Sequence, residues 1–135
     1  MKRIFLIASL FCTPVYADCV FREDTASQTF AIGPFLDSTD GITAETGLTI
    51  ANTDIRLSKE GGNIVSKNSG GGTHDENGMY TVTFDATDTD TAGNLQIQVF
   101  ETGAVPVFHE CLVLAQNYYD LLDGTTALMT SRPRS

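Results

Sequence analysis

Three carboxylates fall within six residues at Asp85, Asp88 and Asp90, and carboxylates at such spacing can bind calcium. The segment nevertheless lacks the central Gly and the distal Glu of a helix–loop–helix calcium site, and turn formation with capping accounts for the same residues without an ion. His74-Asp75-Glu76, with His109 and Glu110 further on, would offer acid–base chemistry or zinc ligation if folding gathered them in one pocket. Nothing in their spacing requires it, since one histidine lies in a glycine-rich loop and the other in a strand-like run. Ser and Thr are plentiful but have no nucleophile-elbow glycines around them. Gly70-Gly71-Gly72 is not followed by Lys-Ser/Thr, so a phosphate loop is not supported. No catalytic, metal or cofactor-binding residue is assigned, and the chain is read as a protein that is not an enzyme and uses no cofactor.

The chemistry that does stand out is redox chemistry. Residues 1–17 read as a leader: Lys2 and Arg3, the apolar run Ile4 to Cys12, then Thr13-Pro14-Val15-Tyr16-Ala17, with Val15 and Ala17 placed for cleavage before Asp18. The run is too short for a stable membrane span. The competing reading makes Ile4 to Phe11 a buried N-terminal strand or helix of a protein that stays in the cytoplasm. Cleavage would remove Cys12 and leave Cys19 and Cys111, which in an oxidising compartment could pair and tie the N-terminal end to the last strand. The alternative is two buried free thiols. The formal charge is −9, and losing the two cations Lys2 and Arg3 takes it to −11. An acidic surface repels phosphate backbones, which argues against nucleic acid as a partner.

With 135 residues there is room for one domain. Strand-like segments are expected at 28–36, 47–51, 54–59, 63–67, 79–84, 94–101 and 107–114, separated by Asp/Asn/Gly turn signals. Tyr80, Val82 and Phe84 share one strand face, as do Leu95, Ile97 and Val99 on the next strand. Gly61-Gly62 predicts a tight hairpin, and the Gly70 to Glu76 loop is expected to be mobile. Asp85 to Gly93 is too polar for a strand; one helical turn, capped by Asp85 or Thr87 and ended by Gly93, would carry the chain between sheets. Tyr118, Leu121 and Leu122 have helical spacing in a short terminal helix, after which 124–135 reads as a flexible tail. The fold class is all-β: an immunoglobulin-like sandwich of about seven strands over residues 18–123. In the last strand both faces are largely apolar, with Val105, Val107, His109, Cys111 and Val113 on one and Phe108, Glu110, Leu112 and Leu114 on the other. Such a strand is central in a two-layer core, or turns one face to another subunit.

The succession GPFLDSTDGITAETGLTI, DIRLSKEGG and THDENGMYTVTFDATDTDTAGNLQIQVFETGAVPVFHECLVL resembles small Ig-like domains encoded in tailed-phage and prophage genomes beside structural genes. It is also loosely similar to the N-terminal sandwich of phage upper-baseplate proteins, in a Gly-x-Tyr strand followed by an Asp/Thr crossover and a Gly. The resemblance spans about Ile32 to Leu122 and brings no catalytic residues. It implies a virion component of a tail, baseplate, neck or head surface, whose partners are copies of itself and other virion proteins. Phe100, Phe108, Tyr118, Tyr119 and Leu122 are the candidate contact residues. The alternative is a secreted or periplasmic binding module that recognises a cell-surface glycan or protein receptor through the Asn68 to Asn77 loop. The chain has no Trp, and only Tyr80 stands close to that loop as a stacking aromatic. Intact-mass spectrometry of the native protein should show residues 1–17 absent and two protons missing from the cysteines; retention of Met1 or two free thiols would contradict export.

Overall fold

The structure, a computed structural model, describes residues 17–124. The leader and most of the C-terminal tail therefore lie outside the described residues. Eight strands occur among the described residues: β1 (Cys19–Arg22), β2 (Gln28–Ile32), β3 (Ile55–Lys59), β4 (Val65–Ser66), β5 (Gly72–His74), β6 (Tyr80–Phe84), β7 (Gly93–Val99) and β8 (Val107–Leu114). They form a five-stranded sheet in the order β1-β8-β7-β3-β4 and a three-stranded sheet in the order β2-β6-β5. The pairings are antiparallel except that β1 runs parallel to β8. One helix, α1 (Gln116–Leu122), follows β8.

Alternation decides which faces meet. Tyr80, Val82 and Phe84 of β6 are buried while Thr81 and Thr83 are exposed, and Leu95, Ile97 and Val99 of β7 point the same way into the core. The two inner faces join in one apolar cluster, where the rings of Phe21 from β1 and Phe84 from β6 lie 5.0 Å apart across the layers. The chain is an all-β, two-sheet protein. The expected strand at 63–67 shrinks to β4, and the hairpin from β3 turns at Glu60-Gly61, both with positive φ.

Two expected features differ. Residues 47–51 form no strand, because their polar groups are satisfied elsewhere: Leu48 donates to the Tyr80 hydroxyl at 2.9 Å, and the Ile50 carbonyl accepts from Gly72 at 2.9 Å. The Tyr80 hydroxyl in turn donates to the Glu45 carbonyl at 3.0 Å, so one fully buried ring holds this irregular segment. The Gly70 to Glu76 loop contains the strand β5, which pairs with β6 through the Asn77-Gly78 turn. Both turn residues have positive φ, the geometry that favours Asn-Gly in a two-residue hairpin. Gly71 has a different duty, for a Cβ there would run into the Ile50 carbonyl.

The Asp-rich link between β6 and β7 is a turn that crosses from one sheet to the other. Asp85 and Asp88 cap each other: the Asp88 N–H donates to the Asp85 carboxylate at 3.1 Å, and the Asp85 N–H donates to the Asp88 carboxylate at 3.1 Å. Asp88 also accepts from the Asn68 N–H at 2.8 Å and sits 3.4 Å from the Lys67 ammonium. Both side chains of that ion pair are essentially inaccessible to water, and Lys67 also donates to the Ser69 carbonyl. With its remaining valences met, such a pair is tolerated in the interior, whereas removing one partner strands a charge at a cost of about 3–5 kcal/mol.

At the N-terminal edge, Cys19 and Cys111 are direct partners in the β1–β8 ladder, with Cα atoms 4.6 Å apart, and they form a disulfide. The bond closes a loop with a sequence separation of 92. In the chain-entropy account a loop of that size stabilises the fold by about 4–5 kcal/mol. The double variant Cys19→Ser, Cys111→Ser should lower the free energy of unfolding by at least about 2 kcal/mol in urea titrations; an unchanged midpoint would show that four residues of parallel ladder suffice to hold β1.

Candidate interaction surface

The residues that sequence chemistry singled out do not converge. Asp85 and Asp88 are engaged with each other, while Asp90 pairs with Lys59 at 2.6 Å. Burial pushes the Asp85 carboxyl up, but hydrogen bonds from Asn68 and Ser69 overcome it and leave the group below its ordinary value. Asp90 is lowered by its hydrogen bond from Lys59. His74 stands edge-on to Tyr80, with ring centres 5.1 Å apart, on the edge strand of the smaller sheet. His109 belongs to the larger sheet, where Nε2 accepts from the Gly33 N–H at 3.2 Å and Nδ1 faces the Asp18 carboxylate at 3.3 Å. Both its ring nitrogens are thus engaged in joining β8 to chain segments beside β1 and β2. Among the described residues no group of three or more His, Cys, Asp or Glu is placed to hold a metal ion.

What the structure does assemble is a surface. In β8 the inward side chains Val107, Cys111 and Val113 are buried, so alternation turns Phe108, Glu110, Leu112 and Leu114 outward. Phe108 is 57% exposed and Leu112 38%. Phe100, just past the end of β7, packs edge-on against Phe108 with ring centres 5.7 Å apart, so two of the five predicted contact residues meet at one end of the face. The other three, Tyr118, Tyr119 and Leu122, lie on α1 beyond the opposite end of β8. Six residues of strand, about 20 Å, separate Phe108 from Leu114.

The helix is attached by charge more than by packing. It buries none of its residues, has no side-chain cap, and is too short to persist alone. Arg22 on the outward side of β1 grips Asp120 through two hydrogen bonds of 2.7 and 2.9 Å. The same contact raises the guanidinium pKa and lowers that of the carboxyl. Held there, α1 overhangs the outer face and leaves a groove of about 280 Å³ lined by Val20, Leu114, Tyr119, Leu122 and Asp123. That volume is at the bottom of the range for small-molecule sites and suits one or two protein side chains better. Val20 went unnoticed in the sequence because β1 directly follows the leader without a turn signal; its pairing with Leu112 brings it onto this face.

Between the two apolar ends the face is polar, with Glu110 on β8 the carboxylate at its middle. Asn94, Gln96 and Gln98 point outward from β7, and the Gln98 amide donates to the Gln96 side-chain carbonyl at 2.8 Å. The opposite outer face, on the smaller sheet, is different: Thr29, Thr73, Thr81 and Thr83 line it as cross-strand neighbours, a composition that water solvates. No helix of the described residues is long and apolar enough to cross a membrane.

Compared with known proteins, the chain matches no family model, no curated protein and no solved structure. The class it defines is that of an all-β, disulfide-bonded two-sheet protein with one apolar outer face. Replacing Arg22 by Ala should release α1. Hydrogen exchange at residues 116–122 should then accelerate at least about tenfold, while β6 and β7 stay protected; unchanged exchange in the helix would show that packing and the hydrogen bond from the Gln116 side-chain amide to the Glu23 carbonyl suffice to hold it.

Proposed function

We propose that this protein is a non-enzymatic assembly component, a structural protein of a tailed phage or prophage particle, and that it works through the outer face of its five-stranded sheet. The observation that carries the reading is that face: it exposes Val20, Phe100, Phe108 and Leu112, with Leu122 at 76% exposure, and has a groove under α1 at one end. Large apolar side chains left exposed together on one face mark a contact surface. Its resemblance to phage Ig-like domains supports the particle as the setting.

The strand order supports an immunoglobulin-like identity as well. The order β8-β7-β3-β4 is similar to that of immunoglobulin strands G, F, C and C′, and β2-β6-β5 to that of B, E and D, with β1 beside β8. Two features depart from antibody domains: no Trp is present, and the disulfide joins β1 to β8 within one sheet instead of bridging the two.

The disulfide favours a second reading, an exported binding module, because such bonds persist in oxidising compartments. In that case the Asn68 to Asn77 segment would be the recognition tip, although Asn68 and Ser69 already donate to Asp85 and β5 is paired with β6. Particle purification separates the two. After prophage induction in the source cell, an epitope-tagged chain should co-sediment with tailed particles at a fixed stoichiometry; a chain found only in the periplasm or medium, and bound to cell surfaces, would contradict the virion role.

A further inference from the structure

We propose that the outer face of β1, β8 and β7 seats a second copy of this chain, in a twofold dimer that sets the Phe100–Phe108 pair of each copy into the α1 groove of the other. The proposal rests on the reading of this face as an assembly surface and names its first partner.

Area is the first argument. Val20, Phe100, Phe108, Leu112 and Leu122 are between 38% and 76% exposed. With large side chains offering about 150–200 Å² each, they present about 450 Å² of apolar surface. A standard interface takes about 800 Å² from each partner, of which about 60% is apolar, so the requirement is close to 480 Å². The face is therefore of the size that one domain of this kind would cover.

Charge is the second. All 17 Asp and Glu of the chain lie among the described residues, against four cations, Arg22, Arg56, Lys59 and Lys67. Three of those cations are ion-paired within the chain, to Asp120, Asp90 and Asp88. An acidic protein repels its own copies except where its surface is balanced. On this face the Arg22–Asp120 pair is neutral, Glu110 lies beside the uncharged Gln96, and Arg56 on β3 stands beside Gln98. Asp123 lines the groove, and the other outward side chains of β7 and β8 are Asn, Gln and apolar groups.

Shape is the third. The same face carries two exposed rings at one end and a recess at the other, about 20 Å apart along β8. A surface holding both halves of a fit is self-complementary, which is what an isologous contact requires. A twofold axis crossing β8 midway, near Glu110 and Leu112, exchanges the two ends. It also brings the two Glu110 carboxylates toward each other, a like-charge approach.

Sedimentation equilibrium of the full chain, over about 1–100 µM, tests this. The wild type should be a reversible dimer. Phe108→Glu should weaken it about 100-fold, by removing an anchor and adding a charge. Glu110→Gln should tighten it about threefold. Thr83→Glu, on the outer face of the other sheet, should leave it unchanged, and thermal melting checks that each variant is folded. A wild type that stays monomeric at the highest concentration overturns the proposal, as does a dimer that folded Phe108→Glu leaves intact. A monomer whose Phe108→Glu variant loses particle association also overturns it, and assigns the face to a different virion protein. A dimer sensitive to Phe108→Glu but absent from particles upholds the dimer and overturns the virion role alone.

Discussion

Strand β8 carries apolar side chains on both of its faces, and strand geometry lets only one face reach the core of this sandwich. That constraint organises the rest. Val107, Cys111 and Val113 are spent on the interior, so Phe108 and Leu112 are left outside, with Phe100 and Val20 beside them on the neighbouring strands. A sandwich in which β8 were covered on both sides would need a third layer. Among the described residues the only element over that outer face is α1, which covers one end of it and buries none of its own residues.

The elements around β8 hold this arrangement by means that differ in kind. The Cys19–Cys111 disulfide fixes β1 covalently at the edge, so the parallel ladder of four residues is not asked to hold it alone. A buried polar network does the corresponding work at the end where the chain changes sheets, with Lys67, Asp85 and Asp88 joining the segment after β4 to the crossover turn. Polar groups there replace what a larger core would otherwise supply, and the geometry that fully satisfies them also fixes the turn that carries the chain from β6 in one sheet to β7 in the other. At the C-terminal end the Arg22–Asp120 contact positions α1 over the sheet.

Much of this was legible in the sequence, and the limits have physical causes. Alternation in Tyr80-Val82-Phe84, Leu95-Ile97-Val99 and β8 revealed the all-β class, the inward faces and the second apolar face, because a period of two depends only on neighbouring residues. The Asn77-Gly78 turn and the Gly61 hairpin were legible for the same reason. β5 was not, since a three-residue strand beginning with Gly has no pattern of its own and exists through pairing with β6. The segment 47–51 looked like a strand, but its backbone is satisfied by Tyr80 and Gly72, contacts that local sequence does not encode. The burial of Lys67 likewise depends on Asp88, 21 positions away. Of the five predicted contact residues, Phe100 and Phe108 meet while Tyr118, Tyr119 and Leu122 lie at the other end, where the groove is completed by Val20 and Leu114.

The central claim is that the outer face of β8 is covered when the protein is in its working assembly. Hydroxyl-radical footprinting of the native assembly, compared with the chain dissociated from it, measures that directly. The account predicts that Phe100, Phe108, Leu112 and Leu122 are labelled in the free chain and protected in the assembly, while labelling of Ile42, an exposed residue outside the two sheets, does not change. Equal labelling of Phe108 and Leu122 in the two states would contradict it.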